Sequence, residues 1–306
     1  MPKTISVLIN VSDAAARIRQ GGVVAFPTET VYGLGANALD PSAVEKIFEL
    51  KGRPHTSPLI VHVSSIEMAK RYAAEWPPIA DELARKHWPG PLTLVVSKSP
   101  EIPDIVTAGL ATVGLRMPNH PLALELIEKS GVPIAAPSAN RFTHLSPTTP
   151  EHVEEEFGGA VEILEGGPSQ VGIESTVVSV VNGELKLLRP GMIPIDAESI
   201  PTPAGAHPAP GMYPRHYSPR TRLILVEGPR NLPDRAGAYV WHNRPGDAAR
   251  RVRMPGDPPS YAARLYDVLH QLDSEHWPWI AVECPPDAPE WSAIRDRLQR
   301  ASAQQF

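Results

Sequence analysis

Between Ile200 and Pro219 the chain carries six prolines in twenty residues: Pro201, Pro203, Pro208, Pro210, Pro214 and Pro219. Each proline fixes φ and removes a backbone donor, so neither a helix interior nor a central strand can run through such a stretch. An extended, semi-rigid connector remains. It splits the 306-residue chain into units that each need a core: residues 1–199, a connector over 200–221, and residues 222–306. A mere spacer has no use for Met212, Tyr213, Arg215, His216 and Tyr217, so the connector is expected to do more than span a gap.

The first unit is organised around Gly21 to Gly35, followed by Lys51-Gly52-Arg53-Pro54 and Pro58 to Val63. Val23 to Phe26 reads as a buried strand that breaks into Pro27, Thr28 and Glu29, then into Gly33 and Gly35 around Leu34. The pattern predicts a polar, glycine-relaxed turn delivered to the mouth of a sheet. Asp40-Pro41 predicts a helix start, with Asp40 as N-cap and Pro41 at the first helical position. Val44, Ile47, Phe48 and Leu50 supply its apolar stripe, and Gly52 ends it, presenting Lys51 and Arg53 beside the Thr28–Thr30 turn. Two fixed cations facing hydroxyls and glycine amides suit an anionic, phosphate-bearing ligand.

Strand and helix patterns then alternate. Ser12-Asp13 is expected to cap a first helix and Asn119 a later one; Leu92–Val96, Val113–Pro118 and Ile134–Ala136 read as strands. Ser175–Val181 and Glu184–Leu188 read as a hairpin about Asn182-Gly183, a type I′ turn signal, so the sheet is mixed rather than purely parallel. Polar residues gather at strand ends (Thr28/Thr30, His62, Thr112/Arg116, Ser138/Asn140, Glu174–Thr176, Arg189), where open α/β sheets bind ligands. Zinc spacing, a Gly-x-Ser-x-Gly elbow and a Walker loop are all missing from the sequence.

The Pro-Thr-Glu-Thr-x-Tyr-Gly-Leu run from Pro27 to Leu34, the Lys51-x-Arg53 pair and the Pro58–His62 strand resemble the YrdC/Sua5 family of threonylcarbamoyl-AMP synthases. Gly114–Pro118, Ala136–Asn140, Ser175–Val177 and Leu188–Gly191 extend the resemblance over the whole first unit. The Pro210-Gly211-Met212…His216-Tyr217-Ser218-Pro219 segment resembles the linker of the two-domain form, departing from it slightly at Tyr213-Pro214-Arg215, and the resemblance implies that residues 200–221 form a lid across the active-site mouth. The resemblance implies a YrdC-like twisted, mixed open sheet with helices, plus a smaller Rossmann-like α/β domain. It implies that L-threonine, bicarbonate or CO2, and ATP react to threonylcarbamoyl-AMP and pyrophosphate, for N6-threonylcarbamoyladenosine at tRNA position 37. Mg2+ would be carried mostly by phosphate oxygens.

By the same resemblance, Lys51 and Arg53 are the catalytic cations on the triphosphate, with Ser57, Thr112, Ser138, Asn140, Ser146, Arg189 and Tyr217 completing an ATP site. Thr30, His62, Arg116, Ala136 and Thr176 form the threonine site, Arg116 clamping a carboxylate. Downstream tRNA threonylcarbamoyl-transfer proteins are the implied partners. Two competing readings are a carbamoyl-transferring domain of hydrogenase maturation, which sits in a much longer chain, and an RNA-binding module using the same cations on phosphate backbone.

Leu223–Val226, Tyr239–His242 and Trp279–Val282 read as strands of the last unit, with helices over Tyr261–Leu272 and Trp291–Leu298; no glycine fingerprint supports a dinucleotide there. Pro214 to Arg253 holds nine Arg against three acids, a solvated arginine-rich surface or a weak RNA contact. The formal charge of −5 argues against affinity of the whole chain for nucleic acid or anionic membrane. With Cys284 as the single cysteine, and with neither an apolar run of spanning length nor a signal pattern, the cytoplasm is the expected location.

Overall fold

A computed structural model describes residues 7–199, 213, 215–234 and 236–303. The chain opens with β1 (Leu8–Ile9), α1 (Val11–Arg19), β2 (Val24–Phe26), β3 (Gly33–Asn37), α2 (Pro41–Lys51) and β4 (Ile60–His62). There follow α3 (Ile66–Arg71), α4 (Pro78–His87), β5 (Leu92–Ser97), α5 (Asp104–Thr107), β6 (Thr112–Arg116), α6 (Pro121–Ser130) and β7 (Ile134–Ala135). The first unit ends with α7 (Pro150–Phe157), β8 (Glu162–Leu164), β9 (Thr176–Ser179), β10 (Lys186–Arg189) and β11 (Glu198–Ser199). These strands form one eleven-stranded sheet in the order β1-β8-β2-β3-β7-β4-β6-β5-β9-β10-β11. Parallel and antiparallel neighbours alternate irregularly along it, so the sheet is mixed, as the hairpin signal required.

The expected start of α2 is found: Asp40 accepts from Ser42 and Ala43 N–H, Pro41 opens the helix, and Gly52 closes it at φ 60°. Two other caps differ from the sequence reading. Asn10, not Ser12-Asp13, caps α1, because its side chain reaches the Ser12 and Asp13 amides. The cap position of α6 is His120, which makes no side-chain cap bond, Pro121 alone setting the first turn.

Gly33 to Asn37 is a strand, where the sequence predicted a relaxed turn. Its glycines serve packing: a Cβ on Gly35 would stand 2.7 Å from the Phe26 ring and 2.8 Å from an Ile134 methyl. The polar turn is confined to the residues between Phe26 and Gly33. Asn182 and Gly183 do take positive φ (56° and 75°), but β9 and β10 pair only from Ser179 and Lys186 outward. Strands β1, β8 and β11 were not expected, being only two or three residues long.

Apolar cores lie against this sheet. One gathers Ile47, Phe48, Val61, Leu94 and Leu115. The other packs Ile18 of α1 and Leu126 and Ile127 of α6 on Val24 and Phe26.

The last unit is a four-stranded, wholly parallel sheet, β12 (Leu223–Val226), β13 (Ala238–Trp241), β14 (Arg250–Arg253) and β15 (Ile280–Glu283), ordered β12-β15-β13-β14. Helices α8 (Pro258–Ser274) and α9 (Ser292–Ser302) complete the Rossmann-like plan. The arginine-rich edge strand β14 was not expected. Its apolar core also takes in Val31, Leu145 and Ile173 of the first unit, and α8 passes so close that a Cβ on Gly172 would meet Ala262 O at 2.4 Å. Of the connector, residues 200–212 and Pro214 lie outside the described residues, including the Pro210-Gly211-Met212 element.

Candidate active site

Thr28 holds the Pro27–Tyr32 loop together. Its Oγ1 accepts the Thr30 and Val31 amides (3.2 and 3.3 Å), donates to Val31 O (2.7 Å) and lies 2.9 Å from Thr30 Oγ1. Outside bonds from Tyr32 N to Pro147 O (2.8 Å) and from Val171 N to Glu29 O (2.7 Å) fix the loop against its neighbours. Such a loop presents hydroxyls at defined places, which costs little further ordering when a ligand arrives.

Next to it, His62 and Arg116 end the parallel strands β4 and β6 in register. Both are 4% exposed. Burial, reinforced by the Arg116 cation, pushes the His62 imidazole down to about 3, so it is neutral near pH 7. Its Nδ1 has no hydrogen-bond partner. Arg116 Nη2 stands 2.8 Å from Glu29 Oε2 as a buried ion pair. The angles miss hydrogen-bond alignment, leaving Arg116 Nε and Nη2 and both Glu29 oxygens with unspent capacity. A buried guanidinium in that condition is ready for a carboxylate from outside.

Two further cations border the same space: Arg53, after α2, and Arg189, closing β10. Arg53 donates to Ser57 Oγ and to Pro58 O (3.0 Å); burial lowers its guanidinium to about 10, still charged at neutral pH. Arg189 donates to Ser175 O (3.1 and 3.0 Å) and Ser175 Oγ (3.1 Å). His216 and Tyr217 of the connector close the space, 5% and 1% exposed. Burial, with the Arg53 and Lys51 cations, holds His216 far below its ordinary value, so it adds no charge. Tyr217 sits at φ 59° with its hydroxyl unpartnered.

One cavity joins these groups. Eight of the expected residues line it: Thr30, Arg53, His62, Arg116, Ala136, Ser138, Arg189 and Tyr217. Thr28, Gly33, Glu174, Ser175 and His216 line it as well. Five expected residues stand behind the lining. Lys51 Nζ donates to Ser138 O (2.6 Å) and to Asn140 O, bracing the turn after β7; burial, then the Arg53 cation, pulls its ammonium well below the usual range. Ser57 accepts from Arg53, and Ser146 Oγ donates to Glu174 Oε1 (2.5 Å). Asn140 donates to Arg141 O and His144 O (2.7 and 3.0 Å), its Oδ1 left unpartnered. Thr176 Oγ1 donates to Ile193 O (2.9 Å), anchoring the segment after β10. Thr112 lies apart, half-buried at the start of β6 opposite Ser97, and outside the cavity wall.

Sequence reasoning gave no role to Glu29 or Glu174 and passed over Arg297. Burial opposes ionisation of Glu174, yet the Arg297 and Arg189 cations outweigh it and hold the carboxyl below its usual range. Arg297 did leave a trace: at three residues from Ile294 and next to Leu298, it occupies the core-facing stripe of α9. Among the described residues no group of three His, Cys, Asp or Glu side chains could hold a metal ion.

The chain is similar to known proteins over nearly its whole length. A family model for Sua5, YciO and YrdC proteins, described as "Telomere recombination", covers residues 16–191. A second, for the C-terminal domain of threonylcarbamoyl-AMP synthase, covers residues 185–303. The threonylcarbamoyl-AMP synthase of Pyrococcus abyssi is 48% identical over 97% of this chain and 98% of its own. That of Bacillus subtilis is 40% identical over 95% and 92%. The crystal structure of P. abyssi Sua5 complexed with L-threonine superposes with a TM-score of 0.90 at 40% identity, covering 97% of this chain and 98% of that one.

Proposed function

The chain belongs to the Sua5/YrdC family, the threonylcarbamoyl-AMP synthases, and from that premise we propose how its cavity divides the work. The reaction joins L-threonine, bicarbonate or CO2, and ATP. A carbamate oxygen of N-carboxythreonine attacks the α-phosphorus, the bond to the β-phosphate breaks, and threonylcarbamoyl-AMP and pyrophosphate leave. The product supplies N6-threonylcarbamoyladenosine at tRNA position 37.

Threonine takes the wall made by Thr30, His62, Arg116 and Ala136. Its carboxylate meets the unspent guanidinium of Arg116, and neutral His62 with the Thr30 hydroxyl orients the rest. The triphosphate takes the opposite wall, where Arg53 and Arg189 offer charge and Ser138, Ser175 and Tyr217 offer hydroxyls. Fixed cations aimed at the phosphates stabilise the charge that grows on departing pyrophosphate without reorganising. Lys51, Ser57, Asn140, Ser146 and Thr176 act from behind by holding these groups, and Lys51 reaches phosphate only by leaving two carbonyls. Thr112, outside the cavity lining, is given no part in holding ATP. The observation that carries the division is the buried Arg116–Glu29 pair with unaligned hydrogen bonds, Arg116 lining one cavity with Arg53 and Arg189.

With His216 and Tyr217 in place the cavity offers about 50 Å³ of room, far below the roughly 300 Å³ where small-molecule sites begin. ATP entry therefore requires the connector to move, which supports its reading as a lid between units 1–199 and 222–306. The cation- and hydroxyl-rich lining fits Mg2+ arriving on the triphosphate. When bound there, the ion would neutralise phosphate charge, and the hydroxyls of Ser138 and Ser175 in the lining could accept from or donate to its bound waters. A weak tRNA contact is supported by Arg251 and Arg253 on edge strand β14, Arg253 lying 5.3 Å from the Trp241 ring centre; salt-dependent tRNA binding lost in Arg251→Ala/Arg253→Ala tests it. No described helix is long and apolar enough to cross a membrane, and a cytoplasmic hand-over of the labile product to tRNA threonylcarbamoyl-transfer proteins fits the reaction. Pyrophosphate release that depends on both ATP and threonine, with bicarbonate present, is the test of the whole reading; an RNA-binding module releases none.

A further inference from the structure

Arg297 belongs to the C-terminal unit, yet its guanidinium, 0% exposed, is committed to the N-terminal one. Nε donates to Glu174 Oε2 (2.7 Å), Nη2 to Glu174 O (3.3 Å) and Nη1 to Pro190 O (3.0 Å). Nη1 also donates to Asp296 Oδ2 (2.8 Å). Glu174 precedes β9 and Pro190 follows β10, so one planar group grips both outer ends of that hairpin. The residues next to those ends, Ser175 and Arg189, line the cavity.

Cζ of the same guanidinium lies over the Tyr217 ring, 5.2 Å from its centre. Tyr217 keeps a left-handed backbone, which a tyrosine adopts only when its surroundings impose it. One turn on, Arg300 binds the connector twice: Nη1 donates to Tyr213 O (2.7 Å), and Arg300 O accepts from His216 N (3.3 Å). The phenol hydroxyl of Tyr217 meanwhile has no partner.

We propose that Arg297 is a positioning residue for the adenylation step: it holds Tyr217 and the Glu174–Arg189 wall in place for the nucleotide, and this is what the C-terminal unit contributes to the reaction. The inference rests on the synthase reading of the cavity given above. An interface ion pair with a purely stabilising role would affect both substrates alike. Arg297 instead bears on one side only, since among the described residues no hydrogen bond or ion pair joins α9 to Thr30, His62 or Arg116.

The test uses the full chain, with calorimetric titration of a non-hydrolysable ATP analogue and of L-threonine into wild type, Arg297→Lys, Arg297→Met and Tyr217→Phe, and melting temperature recorded alongside. Lysine keeps the charge and loses the fork that bridges Glu174 and Pro190. Arg297→Lys should weaken the analogue at least tenfold while threonine affinity stays within twofold. Combined with Tyr217→Phe, it should cost less than the two single losses added together, because both act through one group. Unchanged analogue affinity in Arg297→Lys, equal losses for both ligands, or simple additivity would each overturn the proposal; if Arg297→Met does not fold, the lysine variant decides. An analogue that binds Arg53→Ala as well as wild type would instead remove the cavity reading itself.

Discussion

Two crevices at strand ends contrast, one in each sheet, and the smaller one is the better site. The crevice of the parallel sheet, between the ends of β12, β13 and β15, has room of about 640 Å³, against about 50 Å³ in the cavity of the mixed sheet. At its floor lies Glu283, 3% exposed. Its Oε2 accepts three successive amides, from His242, Asn243 and Arg244 (2.9, 3.0 and 3.1 Å). Burial resists the charge, but those amides outweigh it and hold the carboxyl below its usual range. Such a run of N–H groups is where an anionic ligand could have bound; here the protein's own carboxylate fills it. In the mixed-sheet cavity far more is unspent: Arg116 Nε and Nη2, His62 Nδ1, His216 Nδ1 and the Tyr217 hydroxyl lack hydrogen-bond partners, against His242 Nδ1 alone among the described lining of the larger crevice. Unsatisfied buried polarity, maintained at a cost to folding, marks a ligand site better than volume does.

The largest test of that contrast is Arg53→Ala beside Arg244→Ala. The first should lower kcat/KM for ATP in a pyrophosphate-release assay by about a hundred- to a thousandfold, the range for removing a preorganised charge partner. The second should change it less than about twofold, as an exposed cation outside the reacting site should. Comparable losses in the two variants would erase the distinction between the crevices.

Within the working cavity, Arg116→Ala should raise KM for threonine by about ten- to a hundredfold, the equivalent of roughly 1.5–3 kcal/mol for a charge-assisted bond. KM for ATP should move by less than about threefold; a parallel rise in both would mean that Arg116 holds the fold, with Glu29, rather than the substrate.

Glu283→Gln inverts the experiment. Weakening the three amide bonds should cost about 1–3 kcal/mol of stability in urea unfolding, with kcat and KM per folded molecule unchanged. A catalytic defect at full folding would give the second crevice a part in the reaction.

The smallest effect is in pH. Burial lowers His62 to about 3 and the stacked interface pair His152 and His270, ring centres 3.9 Å apart, to about 4 each. From the ordinary value of 6.5 downward, the unfolded chain therefore binds protons that the folded chain refuses. Stability should be full above about pH 6.5 and fall towards about pH 4, each histidine contributing at most about 1.4 kcal/mol per pH unit. His62→Gln should remove its share of the slope at the cavity, and His152→Gln its share at the interface. A slope unchanged in both would deny that their burial governs it.

Local signals were read well at α2 and missed by one or two residues at the starts of α1 and α6, where Asn10 and His120 hold the cap positions. The Asp40-Pro41 start and Gly52 stop of α2 were legible because a cap bond spans two or three residues. The gathering of Thr30, Arg53, His62, Arg116, Ser138 and Arg189 was legible because strand ends collect ligands and these motifs all fall there. Strand β8 was not, since three residues carry no period; only its insertion between β1 and β2 makes it a strand. Gly33 and Gly35 were misread for a related reason, because glycine for close packing and glycine for a turn look identical in one dimension.

By itself, then, the amino-acid order determined the limits of α2, the mixed character of the larger sheet and the motifs that meet at its edge. Tertiary structure alone decided which of those polar residues face the cavity and which brace it from behind, as Lys51 and Thr176 do. It alone set Glu29 against Arg116 and brought Arg297 across 123 residues to Glu174. The reason is physical: a cap or turn is settled over a few residues of backbone, whereas the state of a buried charge depends on whichever distant groups share its low-dielectric surroundings.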